Sequence, residues 1–222
     1  MSNAEWTKVD EYYHNLLIGK DPALDQALAA SQAAGLPSIN VAPNQGKLLF
    51  LLARAMGAKD ILEIGTLGGY STIWLARALP RGGRLITLEV DNRHASVAES
   101  NVKRAGLDHA VELRLGRAVD SLARLVSEGA GPFDLIFIDA DKPSYSEYFS
   151  WSLKLSRPGT MIIADNVVRK GAVADPDNRD ELVLGIRRFN EAVSREPRVT
   201  ATALQTVGVK GYDGIVLALV TA

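Results

Sequence analysis

The stretch of sequence that decides the fold is Asp60-Ile61-Leu62-Glu63-Ile64-Gly65-Thr66-Leu67-Gly68-Gly69-Tyr70-Ser71. It starts as a short apolar run, passes through a glycine-rich turn and continues into a segment with helical spacing. Glycine lets the backbone turn sharply and lets a ligand approach the backbone closely. The stretch therefore predicts a buried strand, a tight turn and a helix, with a ligand at the turn.

Strands and helices alternate outward from this stretch, with near-continuous apolar strands. This pattern predicts an α/β fold with a mostly parallel sheet covered by helices on both faces. The last two predicted strands have no helix between them, so we expect a hairpin with one antiparallel strand. The predicted strands are 61–64, 85–88, 111–115, 135–138, 161–164, 199–204 and 215–220, and the helices between them are 71–79, 94–105, 119–127, 145–155 and 180–193.

The N-terminal part of the chain reads as helical, with one helix predicted at about 43–56. We expect residues 1–56 to form a helical cap on a core of residues 57–222 and treat the 222 residues as one domain. The formal net charge is -1, which gives no support for a nucleic-acid partner or a membrane surface. The chain has 0 cysteines, which excludes a thiolate nucleophile and a disulfide framework. Without a transmembrane or signal segment, a cytoplasmic protein is expected.

Two glutamates flank the glycine turn. Glu63 lies two residues before Gly65, and Glu89 ends the next predicted strand. The spacing Gly65-x-x-Gly68-Gly69 differs from the G-x-G-x-x-G of dinucleotide sites, and a carboxylate would repel a pyrophosphate but attract an ammonium or sulfonium group. An acid at position 89 can accept hydrogen bonds from ribose hydroxyls. A plain structural turn is the alternative; the paired glutamates favour a nucleoside with a cationic group.

Oxygen-bearing side chains follow two other apolar strands. Asp139, Asp141 and Lys142 come after one strand, and Asp165 and Asn166 come after the next. Ligands of open parallel sheets bind outside the carboxyl ends of the strands, where neighbouring strands lie roughly 4.8 Å apart. Carboxylate and amide oxygens suit a hard cation such as Mg²⁺. Helix-capping acids are the alternative, but two such strand ends favour a metal site.

Taken together, these segments resemble the cation-dependent O-methyltransferases, which include the caffeoyl-CoA and catechol O-methyltransferases. The similarity extends from about residue 39 to the C-terminus. The resemblance implies a Rossmann-like class I methyltransferase fold with a seven-stranded sheet in the order 3-2-1-4-5-7-6, and often a homodimer. The motifs that carry it are Glu63-Ile64-Gly65…Gly69-Tyr70-Ser71, Asp139-Ala140-Asp141-Lys142, Asp165-Asn166 and the closing segment 207–214.

Site residues follow from the resemblance position by position. It implies a divalent cation, Mg²⁺ or else Ca²⁺ or Mn²⁺, bound by Asp139, Asp165 and Asn166. It also implies that Lys142 and Asp139 take part in catalysis, with Lys142 as the base. The N-terminal region is too dissimilar to identify a substrate residue. The residues implied for S-adenosylmethionine are Val41, Glu63, Gly65, Thr66, Ser71, Glu89, Ala118 and Asp139.

The predicted reaction is methyl transfer to a hydroxyl of a catechol-like or other vicinal-diol phenolic small molecule. A phenol has a pKa of about 10, and a bound cation lowers it.

Three alternatives stay open: an NAD-type oxidoreductase, a non-catalytic nucleoside-binding protein, and a nucleic-acid methyltransferase, which would need a basic groove. Two features are ambiguous. Trp6, Tyr12, Tyr13 and Trp151 suit a substrate pocket, the core or a dimer interface, and loop 175–178 suits a lid or a surface turn.

Overall fold

The structure is a computed structural model and describes residues 3–222. Seven strands form one sheet in the order β3-β2-β1-β4-β5-β7-β6, which confirms the predicted order. Strand β7 pairs antiparallel with both β5 and β6, and the other pairings are parallel. The strands are β1 Asp60–Ile64, β2 Arg84–Glu89, β3 Val111–Leu115, β4 Leu135–Ile138, β5 Met161–Asp165, β6 Val199–Gly208 and β7 Gly211–Val220.

Helices cover both faces of the sheet and precede it at the N-terminus. A π-helical turn at His14–Ile18 follows α1, and 3₁₀ turns at Lys142–Ser144 and Arg169–Ala174 follow β4 and β5. No helix within residues 3–222 is long and apolar enough to cross a membrane. The helices are α1 Asn3–Tyr13, α2 Pro22–Ala33, α3 Pro43–Met56, α4 Tyr70–Ala78, α5 Asn92–Arg104, α6 Ala118–Ser127, α7 Tyr145–Lys154 and α8 Glu181–Arg195.

Two apolar layers result from the alternation of side chains along each strand. Leu62 and Ile64 of β1 face the layer built with α6, α7 and α8. Ile61 faces the other layer, which contains Leu49 of α3 and Ile73 of α4. Because both faces are buried, the central strands consist almost entirely of apolar residues, and polar side chains appear where the strands end.

The register of the central strands brings three strand ends together. Ile64 of β1 pairs with Ile138 of β4, and Ile138 pairs with Ala164 of β5. Gly65 therefore lies beside Asp139, and its backbone φ is +99°. A Cβ atom at position 65 would lie 2.1 Å from the carbonyl oxygen of Asp139, so this close approach requires glycine.

The closing hairpin is longer than predicted. Strands β6 and β7 pair over their whole length, from Val199 with Val220 to Gly208 with Gly211. The predicted strands ended where apolar alternation faded, but the tight turn keeps the ladder paired to its tip. Segment 207–214 is thus the hairpin tip. The treatment of residues 1–222 as a single domain stays a prediction.

Candidate active site

A cleft with two lobes lies at the carboxyl ends of the parallel strands. The two lobes have volumes of about 410 Å³ and 390 Å³. Gly65, Asp139 and Ala140 line both lobes, so the lobes meet where β1 and β4 end. This is the location expected for ligands of an open parallel sheet.

Most of the residues predicted for a cofactor line this cleft. Val41, Thr66 and Ser71 line the first lobe, and Glu89 and Ala118 line the second. Of the residues predicted for a metal and for catalysis, Lys142 and Asn166 line the first lobe, and Asp139 lines both. Glu63 and Asp165 are buried just beneath the surface of the cleft.

Glu63 is completely buried and lies beneath Ser71. Its carboxylate accepts hydrogen bonds from Ser71 Oγ at 2.6 Å, from Thr87 Oγ1 at 2.7 Å and from Thr72 Oγ1. Burial, opposed in part by these hydrogen bonds, raises the pKa of Glu63 to about 7. Glu63 therefore orients Ser71, which itself reaches the cleft.

Glu89 organises the backbone of the glycine turn. Oε2 accepts from the N–H groups of Thr66 at 3.3 Å and Leu67 at 2.8 Å, and Oε1 accepts from those of Val90 and Asp91, both at 2.9 Å. A carboxylate offers about four acceptor sites. A ribose hydroxyl would therefore share an oxygen with these donors, most easily on the side of the long Thr66 bond.

Two carboxylates and an amide follow β4 and β5. Asp165 is 4% exposed, and burial followed by the negative charge of Asp139 raises its pKa to about 7. Asn166 has a left-handed backbone, with φ of 58°, and lines the first lobe. Residues 3–222 contain no group of three or more His, Cys, Asp or Glu side chains placed to hold a metal ion. The predicted metal set therefore depends on the amide as its third donor.

Lys142 is held between Asp139 and a buried tyrosine. Its Nζ donates to Asp139 Oδ1 at 3.0 Å and to the Tyr145 hydroxyl at 2.7 Å. The hydroxyl of Tyr145 donates in turn to the carbonyl groups of Ile138 and Asp165, at 3.2 Å and 3.1 Å. Burial, with the charges of Asp139 and Asp165, raises the pKa of Tyr145 well above its ordinary value, so the phenol stays neutral. Tyr145 thus ties the lysine to the ends of β4 and β5.

Helix α8 packs directly against the turn that carries Lys142. A Cβ atom at Gly185 would lie 2.4 Å from the Lys142 carbonyl oxygen and 2.7 Å from Pro143 Cα. The absence of a side chain at position 185 therefore sets how closely α8 supports this turn.

The loop after β5 is held by Asp213 of β7. Asp213 Oδ1 accepts from the N–H groups of Val168 at 2.9 Å, Arg169 at 3.0 Å and Gly214 at 3.0 Å. The bond to Arg169 helps to hold its left-handed backbone conformation, with φ of 52°, and Lys170 follows with φ of 56°. Such conformations are strained for residues with side chains and persist where surrounding contacts enforce them.

Loop 175–178 is tethered from α8. The Arg187 guanidinium donates to the carbonyl groups of Ala172, Val173, Asp175 and Asn178. This anchoring favours the surface-turn interpretation of the loop over a mobile lid.

Several residues of the site were missed by sequence reasoning. The side chain of Gln45, on α3 and far away in sequence, opposes the rise in the pKa of Asp165, and Asp213 reaches the β5 loop from β7. No local pattern marks either of them. Tyr145 lies three residues after Lys142, a spacing that puts side chains on one helix face and was available as a signal.

Comparison with known proteins gives the family. Residues 19–220 match the family model described as O-methyltransferase. This chain belongs to the O-methyltransferase family. It is 57% identical over 220 residues to a catechol O-methyltransferase of Niastella koreensis, covering 99% of this chain and 100% of the relative.

Solved structures agree with this membership. A Bacillus cereus O-methyltransferase in complex with SAH superposes with a TM-score of 0.98 at 56% identity, covering 99% of this chain and 100% of that one. The O-methyltransferase TomG of Streptomyces achromogenes, in complex with SAM, superposes with a TM-score of 0.96 at 53% identity, covering 100% of both chains. The O-methyltransferase described here is an S-adenosylmethionine-dependent enzyme with the Rossmann-like fold, as predicted. The NAD-type oxidoreductase and the non-catalytic binding protein are set aside.

Proposed function

We propose that this O-methyltransferase methylates a hydroxyl of a catechol-like small molecule and needs a divalent cation, Mg²⁺ in the first instance. The single observation that carries the proposal is that Asp139 and Asp165 each follow the last pair of the neighbouring strands β4 and β5, Ile138 with Ala164, with Lys142 Nζ 3.0 Å from Asp139 Oδ1. The name of the Niastella koreensis relative supports a catechol as the acceptor.

The chemistry of the donor set fits a hard cation. Asp165 is buried beside a second carboxylate, and the ammonium of Lys142 donates a hydrogen bond to Asp139. Mg²⁺ typically takes one or two carboxylates, keeps several waters and leaves positions for substrate oxygens. We propose Asp139, Asp165 and Asn166 as its protein ligands. When bound, the cation would hold the acceptor oxygens in place and make the hydroxyl more acidic.

The cofactor is proposed to lie across both lobes. Thr66 and Ser71 would bind its amino-acid end in the first lobe, with Gly65 giving space for close approach. Glu89 and Ala118 would bind its nucleoside end in the second lobe. Glu63 would act through Ser71, since three hydroxyl groups occupy its carboxylate. The cofactor supplies the electrophilic methyl group.

Lys142 is proposed as the group that accepts the proton of the acceptor hydroxyl at Nζ. Asp139 and Tyr145 fix the position of Nζ from two sides, so the lysine would require little reorganisation as the reaction proceeds. A vicinal diol would present one oxygen for methylation and a second for binding, which gives the preference for catechols.

A homodimer is also proposed. The N-terminal helices expose apolar side chains that a second copy would bury. These side chains are Val9, Tyr12, Tyr13, Leu16 and Leu17.

The cytoplasmic location and the absence of a nucleic-acid partner stay predictions.

The test is methyl transfer from labelled S-adenosylmethionine to a small catechol panel, with Mg²⁺ and with EDTA. Transfer that disappears with EDTA and returns with added Mg²⁺ supports the proposal. Transfer that survives EDTA contradicts the metal requirement. Transfer to mono-hydroxyl phenols at equal rates contradicts the catechol preference.

A further inference from the structure

One cationic side chain in the first lobe has no role in the chemistry proposed above. Arg169 lines this lobe together with Lys142, Asn166 and the apolar side chains of Ile39 and Leu182. It lies three residues after Asn166, and both residues line the first lobe and not the second.

The Arg169 guanidinium is nearly free of protein partners. Across residues 3–222 its one partner is Asp213 Oδ2, at 3.9 Å, and the guanidinium makes no hydrogen bond. The other oxygen of Asp213, Oδ1, accepts hydrogen bonds from three backbone N–H groups, so the main contacts of Asp213 are with the backbone. Neighbouring Arg187, by contrast, donates to four backbone carbonyl groups.

The backbone that presents Arg169 is strained but fixed. Its left-handed conformation is held by the Asp213 hydrogen bonds, so the side chain starts from a defined position at the cleft. A guanidinium offers five donors in a planar fork that matches a carboxylate. With 29% of the side chain exposed, those donors are accessible to a ligand.

We propose that Arg169 binds a carboxylate carried by the acceptor, so that the preferred substrates are aromatic acids with a vicinal diol. This rests on the proposed function, because it assumes that the diol lies at Asp139, Asp165 and Asn166. The first lobe, of about 410 Å³, would be shared by the amino-acid end of the cofactor and the acceptor, which favours a small phenolic acid. Ile39 and Leu182 would contact the ring, and Arg169 would bind the acid group.

The test compares two acceptors that share the diol and differ in the acid group, 3,4-dihydroxybenzoate and 3,4-dihydroxybenzyl alcohol. The readout is the ratio of their kcat/KM values in the wild type, Arg169→Gln, Arg169→Lys and the matched control Lys170→Gln. Lys170 is the next residue, shares the left-handed backbone and does not line the lobe. Equilibrium binding of both compounds to protein with Mg²⁺ and S-adenosylhomocysteine gives a second readout that needs no turnover.

We expect the wild type to favour the acid, and Arg169→Gln to lower the ratio about tenfold, the loss of a charge-assisted hydrogen-bond pair. Arg169→Lys should give an intermediate ratio, since lysine keeps the positive charge but lacks the planar set of guanidinium donors. Lys170→Gln should keep the wild-type ratio. A ratio unchanged in Arg169→Gln, or lowered equally in Lys170→Gln, overturns the proposal. If neither compound is methylated, the proposed function fails. The binding ratio then decides about Arg169 alone: a preference for the acid lost in Arg169→Gln supports it, and no preference overturns it.

Discussion

The ammonium of Lys142 and the buried hydroxyl of Tyr145 lie 2.7 Å apart, and that hydroxyl also donates to the backbone at the ends of β4 and β5. The lysine is therefore positioned by the same strand ends that carry the proposed metal ligands. Tyr145 is a positioning residue in this arrangement, since it acts through Lys142.

Tyr145→Phe should lower kcat about tenfold and leave the affinity for S-adenosylmethionine within about twofold, because a hydrogen bond to a charged group is worth roughly 1.5–3 kcal/mol. The deciding measurement is a double-mutant cycle with Lys142→Ala. Adding Tyr145→Phe to the Lys142→Ala protein should cause no further loss of kcat. Equal losses in both backgrounds would show that Tyr145 contributes only to packing.

Lys142→Ala should reduce kcat by about 100-fold or more, the contribution typical of a general base, with little change in cofactor affinity. The measurement is steady-state turnover together with calorimetric binding of S-adenosylmethionine. Lys154→Ala, at an exposed position on α7, is the matched control and should behave as wild type. Unchanged turnover in Lys142→Ala would remove this residue from the mechanism.

Gly185→Ala should push α8 away from the Lys142 turn, since the new Cβ would lie 2.4 Å from a backbone oxygen. Overpacking of this kind costs about 1–3 kcal/mol, so we expect a lower free energy of unfolding and reduced turnover. Denaturant unfolding and kcat are measured together. Arg188→Ala, on the exposed face of the same helix, should change neither. A fully stable and active Gly185→Ala protein would contradict the packing argument.

Glu63 should make the metal-free protein less stable as pH rises. Its pKa is raised from 4.5 to about 7 in the folded state, so the folded state binds more protons than the unfolded state between these values. The Glu63 contribution therefore favours folding below pH 4.5 and is lost progressively up to about pH 7, by at most about 3 kcal/mol.

The measurement is the free energy of unfolding of wild type and Glu63→Gln in EDTA from pH 5 to pH 8. The difference between the two proteins should shift in favour of Glu63→Gln as pH rises, since glutamine does not ionise. Parallel curves would show that Glu63 is not protonated on folding.

Mg²⁺ should raise the thermal unfolding temperature of the wild type, because a ligand that binds the folded state stabilises it by mass action. Asp165→Asn should lose this shift, since it removes one of two proposed anionic ligands. Asp177→Asn, in the exposed loop 175–178, is the control and should retain it. A shift of the same size in Asp165→Asn would reject the metal assignment.

Local pattern alone was enough to predict much of the fold. Each central strand is buried on both faces, so it is almost entirely apolar, and polar residues mark its end; this is why Asp139 and Asp165 could be assigned to strand ends from the sequence. Glu63 is the exception, since it lies inside β1 and is completely buried. The strand order, by contrast, came from the resemblance to a family, since periodicity says nothing about which strands are neighbours.

What only the tertiary structure decided is which distant groups meet at the cleft. Gln45, Gly185 and Asp213 reach the site from α3, α8 and β7, and their roles depend on contacts across long sequence separations that leave no local signal. The sequence by itself determined the elements and the chemistry at their ends, because burial and backbone geometry act locally. The packing of those elements determined that Glu63 supports Ser71, that Tyr145 holds Lys142, and that Arg169 remains available to a ligand.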